Sequence, residues 1–353
     1  MNLKHKYIYF YIIILIIFIL LAYYKSIFEK FENITPNNNQ NNKSTIFVSI
    51  ASYRDKQCIS TLKDIFINAK YPHNIYIGIC QQNNKNNKNE DCTLISECIQ
   101  DGLCIKNQIK TINIDYHDAK GPAYARYYCS TLYNNETYYL QIDSHINFIK
   151  NWDDILINMH TKLPKNSIIS TYPLDYKDRN STGVPYICES LYKTYKHIPE
   201  YQSYIQAKTN NPRLTFIIAA GFLFMPQQAV LDVPFDPYLP YLFMGEETLL
   251  AARLWTSGYN IYSPNINIVY HDYTRKDEPK VWNDNISFNT NNKDVIKKVS
   301  YLLGTETIDN VPKHLLTDIS KYSMGNKRTL AEYLNFSNLD LINGLSSKKW
   351  CTI

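Results

Sequence analysis

Glycine is scarce in this chain, at 10 of 353 residues. So few glycines argue against a dinucleotide fold built on a glycine-fingered phosphate loop. None of the 8 cysteines form a CxxC pair, which argues against a zinc ribbon. Neither sign of charge is in large excess. The formal net charge of +5 is spread along the chain, too weak a field to argue for a nucleic-acid partner. Only one long apolar run occurs, so the chain is not a polytopic membrane protein. With 45% hydrophobic and 20% charged residues it is neither mostly disordered nor collagen-like. Its length suits one large domain or two moderate ones. What abounds is tyrosine, at 31 residues, together with Asn, Lys and Ile. That bias matches an AT-rich genome and takes weight from any motif made of Asn or Lys runs.

The one apolar run covers Tyr7 to Tyr24 and contains no charge and no helix breaker. Eighteen residues rising about 1.5 Å each span roughly 27 Å, close to the hydrocarbon core of a bilayer. Aromatic rings crowd both ends, as interfacial rings do. A cleaved signal peptide is the rival reading, but its core is about 7–15 residues and ends in small residues. Here bulky Tyr23 and Tyr24 follow Ala22, so an uncleaved anchor is expected. The expected order is a short tail over 1–6, a transmembrane signal anchor over 7–24 and an Asn-rich flexible stem over 25–44. The main domain follows over 45–275, then a C-terminal extension over 276–353 packed on it. A short tail before a large C-terminal domain implies type II topology, with the domain lumenal or extracytoplasmic. Sequons at Asn33, Asn42, Asn135, Asn180, Asn285 and Asn335 permit glycosylation without requiring it. In a lumenal domain the clustered Cys92, Cys98 and Cys104 are candidates for disulfides. Buried free thiols fit equally well.

The body alternates short apolar runs with amphipathic ones. Strands are expected at Ile46–Ala51, Ile75–Cys80, Ile109–Ile114, Thr137–Ile142, Ser167–Tyr172 and Ile266–Tyr270. Helices are expected over Asp55–Lys70, from Pro122 to Leu132, over Trp152–Leu163 and from Glu246. The rhythm predicts an α/β domain with a mostly parallel central sheet. Ligands in such sheets bind beyond the carboxyl ends of the strands. Ser52-Tyr53-Arg54-Asp55 follows the first strand and Asp143-Ser144-His145 the fourth. Strand alternation would put Asp143 and His145 on one side, where a carboxylate and an imidazole can share a divalent ion such as Mn²⁺. Taken alone, the triplet also fits a strand-capping Asp beside an exposed His. His271 is a candidate third ligand, and a lone Gly221 in an apolar run points to a close approach. Trp152 and Trp255 are expected in the core.

Seven segments in order carry a more specific signal: SIASYRD, GPAYARYY, QIDSHINF, AAGFLF, FMGEETLLAARLWTSGYNIYSP, VYHDYTR and RTLAEYLNF. Together, from about Thr45 to Phe336, they resemble the protein-hydroxyproline N-acetylglucosaminyltransferase family. More distantly they are similar to the polypeptide N-acetylgalactosaminyltransferases. The resemblance implies a GT-A nucleotide-diphospho-sugar transferase fold. The transmembrane helix expected before it comes from the apolar run and departs from the family, which includes soluble cytoplasmic enzymes. It implies a retaining, metal-dependent transfer of GlcNAc from UDP-GlcNAc to a hydroxyl acceptor on protein or glycan. Asp143, His145 and His271 match metal ligands for Mn²⁺ or another divalent cation. Ser52, Arg54 and Asp55 fall in the loop that meets the nucleotide, and Arg126 in a segment that lines the donor site. Gly221 and Glu246 match positions near the sugar and acceptor, and Arg275 one near the diphosphate. Glu246 and Arg126 are the expected catalytic residues, with Glu247 able to exchange roles with Glu246. The alternatives are a membrane-tethered inactive carbohydrate- or nucleotide-binding protein on the same fold, and a metal-dependent hydrolase using the same three ligands.

Overall fold

The computed structural model describes residues 44–93, 106–275 and 277–352. The expected anchor and most of the stem, and also Cys98 and Cys104, lie outside them. Among the described residues no helix is long and apolar enough to cross a membrane.

The first half runs β1 (Ile46–Tyr53), α1 (Cys58–Asn68), β2 (Ile75–Asn83), β3 (Ile109–Asp115), α2 (Pro122–Ser130), β4 (Tyr138–Asp143), β5 (Ile146–Phe148) and α3 (Trp152–Thr161). Then come β6 (Ser167–Ser170), β7 (Leu174–Asp175), β8 (Val184–Leu191), β9 (Glu200–Gln206), β10 (Arg213–Thr215), β11 (Phe222–Pro226), α4 (Gln227–Asp232) and α5 (Glu246–Thr256). The chain ends with β12 (Asn260–Ser263), β13 (Val269–His271), α6 (Val281–Asp284), α7 (Phe288–Leu302), α8 (Ile319–Tyr322) and α9 (Leu330–Ser337).

The central sheet has eight strands in the order β10-β12-β6-β11-β4-β1-β2-β3. Its β3-β2-β1-β4 half is parallel, as the βαβ rhythm predicts. The sheet as a whole is mostly parallel, as expected, since β12 also runs parallel to β6, and only β10 and β11 are reversed. β11 runs antiparallel to both β4 and β6, and β10 antiparallel to β12. The reason is local. The chain turns at Ala219–Gly221, beside the end of β4, and β11 must then run back along it. The turn is held where Asp143 N–H donates to Gly221 C=O at 3.3 Å.

Two further sheets frame the carboxyl ends of the central strands. β5, β13 and β7 form a small sheet, and β8 pairs with β9 in a hairpin. The hairpin is absent from the sequence reading because β8 is buried along nearly its whole length and shows no alternation of polarity.

The elements form where local chemistry favours them. Pro122 opens α2, a position where its missing N–H costs nothing. Gly121 before it sits at φ +89°, a conformation glycine adopts without strain. Gly245 before α5 does the same at φ +93°, so the chain enters α5 abruptly and both Glu246 and Glu247 fall in its first turn. Trp152 and Trp255 are core residues, as expected. Tyr333 and Trp350 from the last third of the chain join the same apolar cluster as Leu254 and Ile261. One disulfide joins Cys58 to Cys92 and another Cys188 to Cys351. Cys80 and Cys129 are buried thiols.

Candidate active site

A cleft of about 410 Å³ opens at the carboxyl ends of β1 and β4. Asp143, His145 and His271 meet on its wall, each offering a ligand atom within 4.8 Å of the others. Asp143 ends β4, and His271 ends β13, whose pairing partner β5 begins at Ile146. The chain between Asp143 and Ile146 bends rather than continuing the strand. That bend, not strand alternation, brings Asp143 and His145 together. The two imidazole rings lie 4.4 Å apart, centroid to centroid, and His271 Nε2 is 3.3 Å from Asp143 Oδ2.

Three features fit this set to a divalent cation. The donors are one carboxylate oxygen and two imidazole nitrogens, a mixed set that suits ions such as Mn²⁺. His145 Nδ1 lies 2.9 Å from Asp55 Oδ2. The buried carboxylate holds the proton on Nδ1 and leaves Nε2 as the ligand, the usual outer support of a metal-bound histidine. Arg275 Nη1 is 3.0 Å from that same Nδ1 and 3.3 Å from Asp55 Oδ2. Arg only donates, so its hydrogen belongs to Asp55. Finally, His271 Nδ1 is buried and lacks a hydrogen-bond partner. Burial alone would raise the Asp143 carboxyl. The hydrogen bond to His271 and the charge of Arg126 outweigh it and hold the group well below the usual carboxylate range.

Arg126, on α2, is buried and ties the floor of the cleft together. Its Nη2 donates to Asp143 at 3.1 Å and its Nη1 to Glu246 at 2.5 Å. The two acids that open α5 therefore have different partners. Glu247 turns away from Arg126 and accepts hydrogen bonds from Tyr172 OH and from Ala220 N–H, the latter at 2.8 Å. Burial pushes its carboxyl up to about 7 against those hydrogen bonds. Gly221 is required where it stands, because a Cβ there would lie 2.7 Å from Asp143 Oδ2.

The expected first-loop residues divide. Asp55 is buried and acts on His145 from behind. Ser52 is buried, with an unpartnered hydroxyl. Arg54 faces away from the cleft, paired with Glu90 at 3.2 Å and Asp284 at 2.8 Å, with its guanidinium over the Tyr116 ring. Tyr53 lines the cleft in its place. Arg275 also lines it, and its Nε and Nη2 are buried without a partner. Sequence reasoning missed Phe243, Tyr273, Lys280 and Trp282 on the same walls. Phe243 and Tyr273 lie inside segments already singled out, FMGEETLLAARLWTSGYNIYSP and VYHDYTR, and the signal for the rest was Trp282 and Val281 standing apolar in the charged run KDEPKVWND. Phe243 and Trp282 pair at 5.1 Å, and both are exposed.

This architecture, a mostly parallel sheet with a cleft at its carboxyl edge, is that of the GT-A glycosyltransferases. A solved structure of GalNAc-T7 with UDP, GalNAc and Mn²⁺ shares it with a TM-score of 0.56. The two sequences are 13% identical over 85% of this chain. The chain spans 58% of the length of that protein. The family model described as "Glycosyltransferase (GlcNAc)" matches residues 45–100 and 89–343, and the chain belongs to that glycosyltransferase family. No curated protein matches it.

Proposed function

We propose that the chain is a retaining, metal-dependent transferase that moves GlcNAc from UDP-GlcNAc to a hydroxyl on protein, carried by hydroxyproline, serine or threonine. The observation that carries this reading is the convergence of Asp143, His145 and His271 on the wall of one cleft. These three would hold a divalent cation. When bound, such an ion supplies Lewis-acid stabilisation of the charge that develops on the leaving diphosphate.

The protein's own groups do the rest. The unpartnered Arg275 Nε and Nη2 are donors suited to phosphate oxygens, through charge-assisted hydrogen bonds. Asp55 keeps Arg275 and His145 in place. The Arg126–Glu246 pair orients the sugar and the acceptor hydroxyl. Asp143 on the cleft wall and the buried Glu246, which does not itself line the cleft, are both engaged by Arg126, so neither is a ready nucleophile. That supports attack from the leaving-group face, with the departing phosphate taking the acceptor proton. The same proposal anchors the enzyme through residues 7–24 and places its catalytic domain outside the cytosol. The Cys58–Cys92 and Cys188–Cys351 disulfides support an oxidising compartment.

The test is UDP release by the purified full chain from a panel of UDP-sugars, with and without Mn²⁺ and acceptor peptides. The reading requires UDP-GlcNAc to be preferred, Mn²⁺ to be needed and the acceptor to stimulate release. UDP binding without turnover supports a binding protein instead. Sugar release indifferent to acceptor supports a hydrolase.

A further inference from the structure

A second cavity, of about 340 Å³, shares no lining residue with the cleft. Its wall includes Arg253, in the last turn of α5, which is only 3% exposed. Arg253 Nη2 donates to Pro234 C=O at 2.9 Å and Nε to Ser323 C=O at 3.4 Å. Both partners are neutral. Among the described residues no carboxylate forms an ion pair with this guanidinium. The acid acting on it is Asp236, but Asp236 is bound to the fully buried Lys298 at 2.7 Å. Two buried cations thus share one buried carboxylate, and one positive charge is left over in a dry setting. Such a charge is costly unless something pairs with it.

The rest of the cavity wall adds to the excess. Lys321 and Lys327 line it together with Ser257, Ser323 and the Asn326 amide. The one acid on the wall, Asp232, already accepts from Tyr259 OH and Gln228, each at 2.7 Å. The lysines are not needed to cap α5. Thr256 C=O accepts the N–H groups of Lys327 and Arg328, Trp255 C=O that of Gly258, and Leu254 C=O that of Tyr259.

We propose that this cavity binds a tetrahedral oxyanion, a phosphate or sulfate group, between Arg253, Lys321 and Lys327. Arg253 supplies the fixed charge at the base, the lysines close over the ligand, and the Ser257 hydroxyl and Asn326 amide complete its hydrogen bonds. The Ser323 hydroxyl is already spent on Ile319 C=O at 2.6 Å. The cavity is larger than the anion, so the ligand is either the free ion or its ester on a sugar-sized group.

Calorimetric titration of the full chain with inorganic phosphate, and separately with glucose 1-phosphate, tests this. Binding is expected in the wild type and in Arg275→Ala, which alters only the cleft. Added to Arg275→Ala, which removes the cleft's own phosphate donor, Lys321→Ala/Lys327→Ala or Arg253→Gln should weaken it about tenfold or more, since charge-assisted contacts are the strong ones. The lysine pair is exposed, so that variant reports on the site even where Arg253→Gln fails to fold. Tighter binding of the sugar phosphate identifies an ester ligand, and equal affinity the free ion. No binding to the wild type, equal binding by the combined lysine variant, or loss in Arg275→Ala alone overturns the proposal.

Discussion

Arg126 at the floor of the cleft and Arg253 on the wall of the second cavity are both buried arginines of the same fold. Their surroundings differ. Arg126 faces two carboxylates, Asp143 and Glu246, so its charge is matched within the protein and serves to hold acids in place. Arg253 faces two backbone carbonyls and keeps an unmatched charge. A buried guanidinium locked between acids is scaffolding for a site, whereas one resting on carbonyls has charge left for a ligand.

The largest expected effect lies on the cleft side. Asp143→Ala or His271→Ala should lower Mn²⁺-dependent UDP release on the order of a thousandfold or more, while thermal unfolding stays cooperative. Full turnover in both variants would remove these residues from the chemistry. Arg126→Ala comes next. It leaves the buried Glu246 without its cation and the half-buried Asp143 with one partner fewer, and should cost about 3–5 kcal/mol in urea unfolding. A cost under half of that would mean the acids do not depend on it.

Glu247 sharpens the contrast, because it stands beside Glu246 yet lacks the direct pairing with Arg126. Its folded pKa of about 7 lies above the ordinary 4.5. Between those values the native state keeps a proton that the unfolded chain has released. Stability present at low pH is therefore lost as pH rises to about 7, by on the order of 3 kcal/mol. Denaturant midpoints measured from pH 4.5 to 8 should fall in the wild type and stay flatter in Glu247→Gln. Parallel slopes would show that Glu247 is already ionised.

Arg253→Ala should cost less than Arg126→Ala, about 1–3 kcal/mol, because it strips hydrogen bonds from two carbonyls but leaves no acid stranded. If urea unfolding gives the two arginines the same cost, the distinction drawn between them fails. The smallest effect belongs to Lys327→Ala at the exposed rim. Its unfolding midpoint should move by less than about 0.5 kcal/mol, so any loss of anion binding there is a loss of contact and not of fold.

Much of the frame was legible beforehand. β1, β2, β3 and β4 are short apolar runs bounded by polar loops, and α1, α3 and α5 begin within a few residues of where periodicity places them. The antiparallel β11 was not legible, since an apolar run carries no mark of its direction. Nor was the β8–β9 hairpin, whose first strand has no polar face. The Asp143, His145 and His271 cluster was legible only through motif order. Nothing within QIDSHINF says that a histidine 128 residues beyond Asp143 will reach it.

The sequence by itself determined the βαβ half of the sheet, the helix entries at Gly121 and Gly245, and which side chains could serve as ligands, because these depend on local periodicity and local backbone freedom. The tertiary structure alone decided which charges meet. Arg54, expected at the nucleotide, is taken by Glu90 and Asp284, while Arg275 arrives at Asp55 from the far end of the domain. Pairing between charges depends on distance in space, and a linear chain does not record that distance.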